Sequence, residues 1–319
     1  MEILIGDAAG EIKYLSGQKS SKTGQQQIFL SQLVKEDFHM LKKIKQVPRR
    51  FLKNKMFTAG LLMIIVVVLT AIFAESIAPQ TYREMDVIHS LEGPSSQYPL
   101  GTDRYGRCLF SRIVYGSRLA LRVGFMIVAI SSVIGIFLGV VAGLMEGLGD
   151  NIISYISDVT WSLPPVVFAL ALVMLLGPSL NNVIIALALI SWPQLARVVR
   201  SKTKSIKNKN YMEAARALGM GNGRLIFRHL LPNILSAIIV LVTLQLPNAI
   251  IASTALGFLG LGAQPPAPDW GVMLNEGMDF IRVAPWQSIF PGIALVWTVL
   301  GFNLMGVGLR DVLDPSLPD

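Results

Sequence analysis

One acid stands among nine bases in the segment from Arg197 to Asn233, RVVRSKTKSIKNKNYMEAARALGMGNGRLIFRHLLPN. The acid is Glu213, and the bases begin at Arg197 and end at Arg228. The run Met212 to Leu218 consists of good helix formers without Gly or Pro. Gly219, Gly221 and Gly223 are expected to stop it. A helix of two turns is marginal alone in water, so something must hold it. The segment therefore reads as a docking loop.

Other chemistry is sparse. No Gly-x-x-x-x-Gly-Lys-Ser/Thr phosphate loop occurs, so ATP is not bound by that route. His39, His89 and His229 are scattered, with no His/Glu pair at metal-ligand spacing. There is no Gly-x-Ser-x-Gly elbow. The reading is not an enzyme and not a metal protein. Gln245, Asn248 and Asn303 are polar groups within apolar runs. They either line a polar pathway or hydrogen-bond between packed helices. Asp269, Glu276 and Asp279 form an acidic stretch, read as a solvated surface or an external contact.

The elements that must position these residues are membrane spans. Of 319 residues, 52% are hydrophobic and only 15% are charged, against about 25% in an average soluble domain. Mean hydropathy is +0.55. The net charge of +8 is read as basic cytoplasmic loops and not as a nucleic-acid surface. The single cysteine, Cys108, excludes an intrachain disulfide. The start, MEILIGDAAGEIKY, lacks the apolar region of a cleaved signal peptide.

Uncharged runs predict six transmembrane helices in an all-α membrane protein, at about 56–76, 120–145, 159–176, 182–199, 233–256 and 289–309. Residues 1–55 form a polar, basic N-terminal segment. Leu30, Val34, Phe38, Leu41 and Ile44 recur there at helical spacing. That helix lies either on the lipid surface or on the protein's own cytoplasmic face. Arg49, Arg50, Lys53 and Lys55 before the first span place the N-terminus in the cytoplasm. Six spans return the C-terminus and the 197–233 loop to the same side. In the second span Ser131, Gly135, Gly139 and Gly143 share one face, a close-packing signal. Trp192-Pro193 is expected to distort the end of a short fourth span. The span centres hold no Asp, Glu, Lys or Arg. Proton relays and voltage sensors usually need such charges, so a transporter built this way takes its energy from outside the chain.

The loop sequence YMEAARALGMGNGRLIFRHLLPN resembles the EAA motif of permease subunits of bacterial ABC importers. Glu213, Ala214, Ala215, Gly219, Ile226, Leu231 and Pro232 carry the likeness. LGTDRYGRCLFSRIVYGSRLALRVG, WSLPPVVFALALVMLLGPSLNNVIIALALISWPQLARVVR and ALGFLGLGAQPPAPDWG are similar to the dipeptide, oligopeptide and nickel branch of OppC or DppC type. Cys108 departs from the Asp common in that branch. The resemblance covers about residues 50 to 315 and implies the type I importer permease fold.

It further implies a permease for di- or oligopeptides, or for nickel or another chelated small solute. A non-transporting membrane scaffold or receptor is the alternative from another class. The implied partners are a second related permease, two cytoplasmic ATPases that bind the ATP and Mg, an extracytoplasmic solute-binding protein, and lipid of the bacterial inner membrane. No cofactor is implied for this chain. Glu213, Ala214, Ala215, Arg216, Gly219, Leu231 and Pro232 would couple the permease to the ATPase. Glu213 pairing internally with Arg216 is the competing role.

Overall fold

The structure, a computed structural model, describes residues 54–145 and 147–313. The amphipathic helix read between Leu30 and Ile44 lies outside the described residues. Among the described residues all regular structure is helical. The order is α1 (Lys55–Ile72), α2 (Ala74–Ile77), a 3-10 turn (Val87–His89), α3 (Leu109–Leu144), α4 (Leu148–Ser162), α5 (Pro165–Leu176), α6 (Leu180–Lys207) and α7 (Asn210–Ala217). Then come α8 (Asn222–Leu225), a π turn (Ile226–Leu230), α9 (Leu231–Phe258), α10 (Trp270–Met278) and α11 (Trp286–Leu313). Among the described residues five helical stretches are long and apolar enough to cross a membrane, and α4 with α5 makes a sixth if counted as one broken span.

The third span is the main correction. The apolar run 159–176 is not one straight helix. Its helices α4 and α5 meet at an 89° bend. Pro164 and Pro165 lack amide hydrogens, and Leu163 before them is extended, with φ −100° and ψ 147°. With 12 residues, α5 is about 18 Å long, short of the roughly 30 Å hydrocarbon core.

The second span begins eleven residues earlier than the 120 expected, at Leu109. Arg112 and Arg118 looked like loop residues, yet both are paired. Arg118 Nη1 meets Glu75 Oε1 at 2.8 Å, and its Nη2 donates to the carbonyl of Ile72 at 2.9 Å. The fourth span is also longer than 182–199. Pro193 sits inside α6 without ending it, and the helix runs through the basic residues to Lys207. The fifth begins before 233, because α8, the π turn and α9 run on from Asn222 to Phe258. The π turn precedes Pro232, which removes an N–H from the ladder.

The stripe Ser131, Gly135, Gly139 and Gly143 is buried against α6. A Cβ on Gly139 would lie 2.7 Å from the carbonyl oxygen of Ala196, and one on Gly135 2.8 Å from that of Trp192. The two helices thus approach at backbone distance. A core of Ile127, Val173, Val183, Ile190, Ile250 and Phe302 joins α3, α5, α6, α9 and α11. A second cluster, with Val140, Val199, Ile206, Leu230 and Ile234, lies at the far end of α3.

Candidate functional site

Helix α7 is the predicted coupling helix, and its own chain holds it. Met212 is 1% exposed and Ala215 is 8% exposed, both within the second cluster. Burial of this face supplies what a two-turn helix lacks alone. The C-terminus closes as a Schellman motif. Met220 N–H donates to the Ala215 carbonyl at 3.1 Å and Gly219 N–H to that of Arg216 at 2.9 Å. Gly219 has φ +81°, the left-handed conformation this motif needs. Gly219 alone stops the helix, since Gly221 caps α8 and Gly223 lies within it.

The remaining face of α7 points outward. Glu213, Arg216, Ala217 and Gly219 are exposed, and Leu218 is 80% exposed. Phe227 adds a second large exposed apolar group. Ala214 is half-buried, Leu231 is half-buried and Pro232 is exposed. Ala215 spends its small size on packing inward, against the chain itself. Among the described residues neither Glu213 nor Arg216 enters an ion pair, so the Glu213–Arg216 pairing is not formed. The outward face therefore offers one acid, one base and an apolar tip, with its polar groups uncommitted to neighbours.

The basic residues before α7 are largely committed. Arg200 and Lys204 of α6 both bind Asp150 of α4, with Arg200 Nη2 at 2.7 Å from Oδ2. Arg197 pairs with Asp158 at 3.1 Å and stacks over Trp161. Lys207 Nζ donates to the Leu144 carbonyl at 2.9 Å. These bonds tie the end of α3, the start of α4 and the approach to α7 together.

A cavity of about 220 Å³ lies between α3, α4, α5, α6 and α9. Gln245 and Asn248 line it, joined by Ser131, Ser191, Gln194 and Trp161. Of the three candidate pathway residues, two are thus together. Asn303 is exposed on α11 and is not part of the lining. Ser131 read as a packing residue, and Gln194 lay hidden behind the Pro193 signal. Sequence alone had no means of joining them to Gln245.

At the other end of α3 two acids of the acidic stretch, Asp269 and Glu276, are not on a solvated surface, whereas Asp279 is exposed. Glu276 of α10, with its side chain 11% exposed, meets Arg107 Nη2 at 3.1 Å and Arg112 Nη2 at 3.5 Å. Asp103 meets Arg107 Nε at 2.6 Å and Arg112 Nη1 at 3.4 Å. Asp269 caps α10 by accepting from the amides of Gly271 and Val272. Nearby, Asp86 Oδ2 lies 2.7 Å from His89 Nδ1. That hydrogen bond raises the His89 pKa above its ordinary 6.5 and lowers that of Asp86. Among the described residues no group of three His, Cys, Asp or Glu side chains is placed to hold a metal ion.

Comparison with known proteins places this geometry. Residues 135–318 match the model of the binding-protein-dependent transport system inner membrane component. Residues 44–94 match the N-terminal transmembrane domain of oligopeptide transport permease C. The dipeptide transport system permease protein DppC of Alkalihalophilus pseudofirmus is 46% identical over 273 residues, covering 86% of this chain and 90% of that one. The glutathione transport system permease protein GsiD of Pectobacterium atrosepticum is 42% identical over 272 residues, covering 84% and 90%. The di/tripeptide permease DppC of Pseudomonas aeruginosa is 40% identical over 280 residues, covering 86% and 92%. In fold, the chain is similar to the inward-facing MetNI methionine ABC transporter, with TM-score 0.51 at 20% identity, over 64% of this chain and 96% of that one. With an uncommitted helical ridge at one end and a polar cavity between its helices, the chain belongs to the binding-protein-dependent inner membrane components, the permease subunits of ABC importers.

Proposed function

We propose that this permease carries short peptides into the bacterial cytoplasm and takes its energy from an ATPase docked on α7. The observation that carries the coupling role is the ridge from Glu213 to Gly219. It is exposed outside and anchored inside by Met212 and Ala215. A helix so anchored transmits a push to the cluster beneath it. Glu213 and Arg216 give the contact direction, while Leu218 gives it apolar area. Leu231 packs against the cluster that holds this ridge, and Pro232 stands in the first turn of α9.

The basic content of 197–233 supports a cytoplasmic place for α7 and for both termini. The family supports ATPase and solute-binding partners. We assign two ATPases and one related permease, which supplies the other half of the pathway. The relatives' names support a peptide solute: dipeptides, di- and tripeptides, and glutathione, itself a tripeptide. Nickel chelates and a passive scaffold role have no such support.

The test is uptake by the full complex in proteoliposomes, with the solute-binding protein supplied. Labelled dipeptide should accumulate only with ATP. Glu213→Lys should lower uptake at least about tenfold, as loss of a buried directed charge contact does. Uptake unchanged in Glu213→Lys would sink the coupling role.

A further inference from the structure

Gln245 sits in the wall of the cavity at 6% exposure. Neither its Nε2 nor its Oε1 has a hydrogen-bond partner. A buried amide without partners is costly, so a native chain keeps one where another state or ligand satisfies it. Asn248 lies three residues on, on the same face of α9, and lines the same cavity. It spends one N–H on the Leu244 carbonyl, at 3.4 Å. Its second N–H and its oxygen remain for something else.

Gln194 adds an exposed amide to the lining, and the two serines narrow the choice of ligand. Ser131 donates to the Val128 carbonyl at 3.2 Å and Ser191 to the Leu187 carbonyl at 2.7 Å. Both hydroxyls have used their donor and face the cavity, if at all, as acceptors. No Asp, Glu, Lys or Arg lines the cavity. A site made of amides and hydroxyls without charge does not select charged side chains or termini. It suits a neutral group that carries one donor and one acceptor. The peptide unit is such a group, and it is the part that all peptides share. In a trans peptide the N–H and C=O point to opposite edges, so two separate partners are needed. The cavity of about 220 Å³ holds roughly seven waters at about 30 Å³ each, room for a short stretch of backbone.

We infer that the cavity is a peptide-backbone subsite, in which Gln245 Oε1 accepts the N–H of a passing peptide bond and Asn248 Nδ2 donates to its carbonyl. The inference rests on the reading of the chain as a peptide permease. It accounts for how a pathway can take peptides of varied side chains and still hold them.

The experiment uses the full complex in proteoliposomes, with alanyl-alanine and its analogue methylated on the amide nitrogen. Each is supplied at a concentration that saturates the binding protein. The wild-type complex should carry alanyl-alanine roughly tenfold faster than the analogue, the scale of one or two hydrogen bonds. In Gln245→Leu, uptake of alanyl-alanine should fall to near that of the analogue, while the loaded binding protein still stimulates ATP hydrolysis. Equal rates for the two peptides in wild type, or a preference retained in Gln245→Leu, overturn the subsite. Should Gln245→Leu not assemble, Asn248→Leu at its exposed position tests the bond to the carbonyl: uptake of both peptides should fall, and wild-type rates in that variant overturn the inference. Failure of wild type to carry either peptide, with ATP hydrolysis intact, overturns the peptide reading itself.

Discussion

Arg107 and Arg112 lie in the interior with two carboxylates, Asp103 and Glu276. Their charges balance only as a set. Glu276→Ala leaves two buried guanidinium groups sharing one acid, and removal of one partner from a buried pair costs about 3–5 kcal/mol. Thermal unfolding of the purified complex should show it as a large fall in Tm. Arg104 touches the same Glu276 at 3.8 Å but is 37% exposed, so Arg104→Ala should cost less than about 1 kcal/mol. Equal losses would mean the network is not the anchor. The Asp86–His89 pair gives a pH signature. His89 is raised, chiefly by the hydrogen bond that its Nδ1–H donates to Asp86, so its contribution is complete below 6.5 and fades as pH rises through the raised value. Asp86 is lowered, so its contribution is present above 3.8 and fades as pH falls through the lowered value. Asp86→Asn should return the His89 titration, followed by NMR, to about 6.5. None of this was legible from sequence. Arg107 and Glu276 are 169 positions apart, and a charge seen singly reads as a wet surface. The isolation of Glu213 was legible for the opposite reason: it shows within its own segment, and the side chain is exposed in the fold.

Helix existence could be read from apolar runs, whereas helix ends could not. Charges marked the expected ends, and the fold carries helices past charges wherever a partner waits. Arg118 has Glu75 and main-chain carbonyls, and Arg200 and Lys204 have Asp150. The break in the third span came from Pro164-Pro165, while Pro193, Pro247 and Pro291 sit inside helices that continue. A single proline in a membrane helix is tolerated when packing re-satisfies the freed carbonyl, and two in succession are harder to absorb. The small-residue stripe was legible because its period is that of a helix face. It predicts a sharp contrast. Gly139→Val would drive a side chain into the Ala196 carbonyl and Val199, and should prevent assembly of a stable complex by size-exclusion chromatography. Gly221→Ala meets nothing within 4 Å and has negative φ, so it should assemble as wild type. In α7, Met212→Ala opens a cavity worth about 2–5 kcal/mol, more than a two-turn helix has in reserve. ATPase docking, read by copurification, should weaken although Glu213 is untouched.

The molecule as a whole has two ends joined by long helices. α3, with 36 residues, is about 54 Å long. One end carries the Arg107–Glu276 network, and the other meets Lys207 just before α7. α6 passes the cavity at Leu187, Ile190 and Ser191 and then runs on toward α7, the proposed coupling helix. A push on α7 therefore reaches the cavity wall through one continuous helix. α4 carries Trp161 of that wall and is held to α6 by Asp150, through Arg200 and Lys204. If α4 moves with α6, the cavity opens and closes as a unit; if it slips, ATP is spent without passage. Asp150→Asn keeps the shape and removes the charge that two cations share. Peptides carried per ATP hydrolysed should fall roughly fivefold, the lower range of measured site-to-site coupling, with stimulated hydrolysis largely retained. Asp158→Asn is the control, since the Asp158–Arg197 pair is 71% and 43% exposed. Its ratio should stay within about twofold of wild type. A wild-type ratio in Asp150→Asn would show that α4 follows α6 through apolar contacts alone, and the electrostatic tie would have no part in coupling.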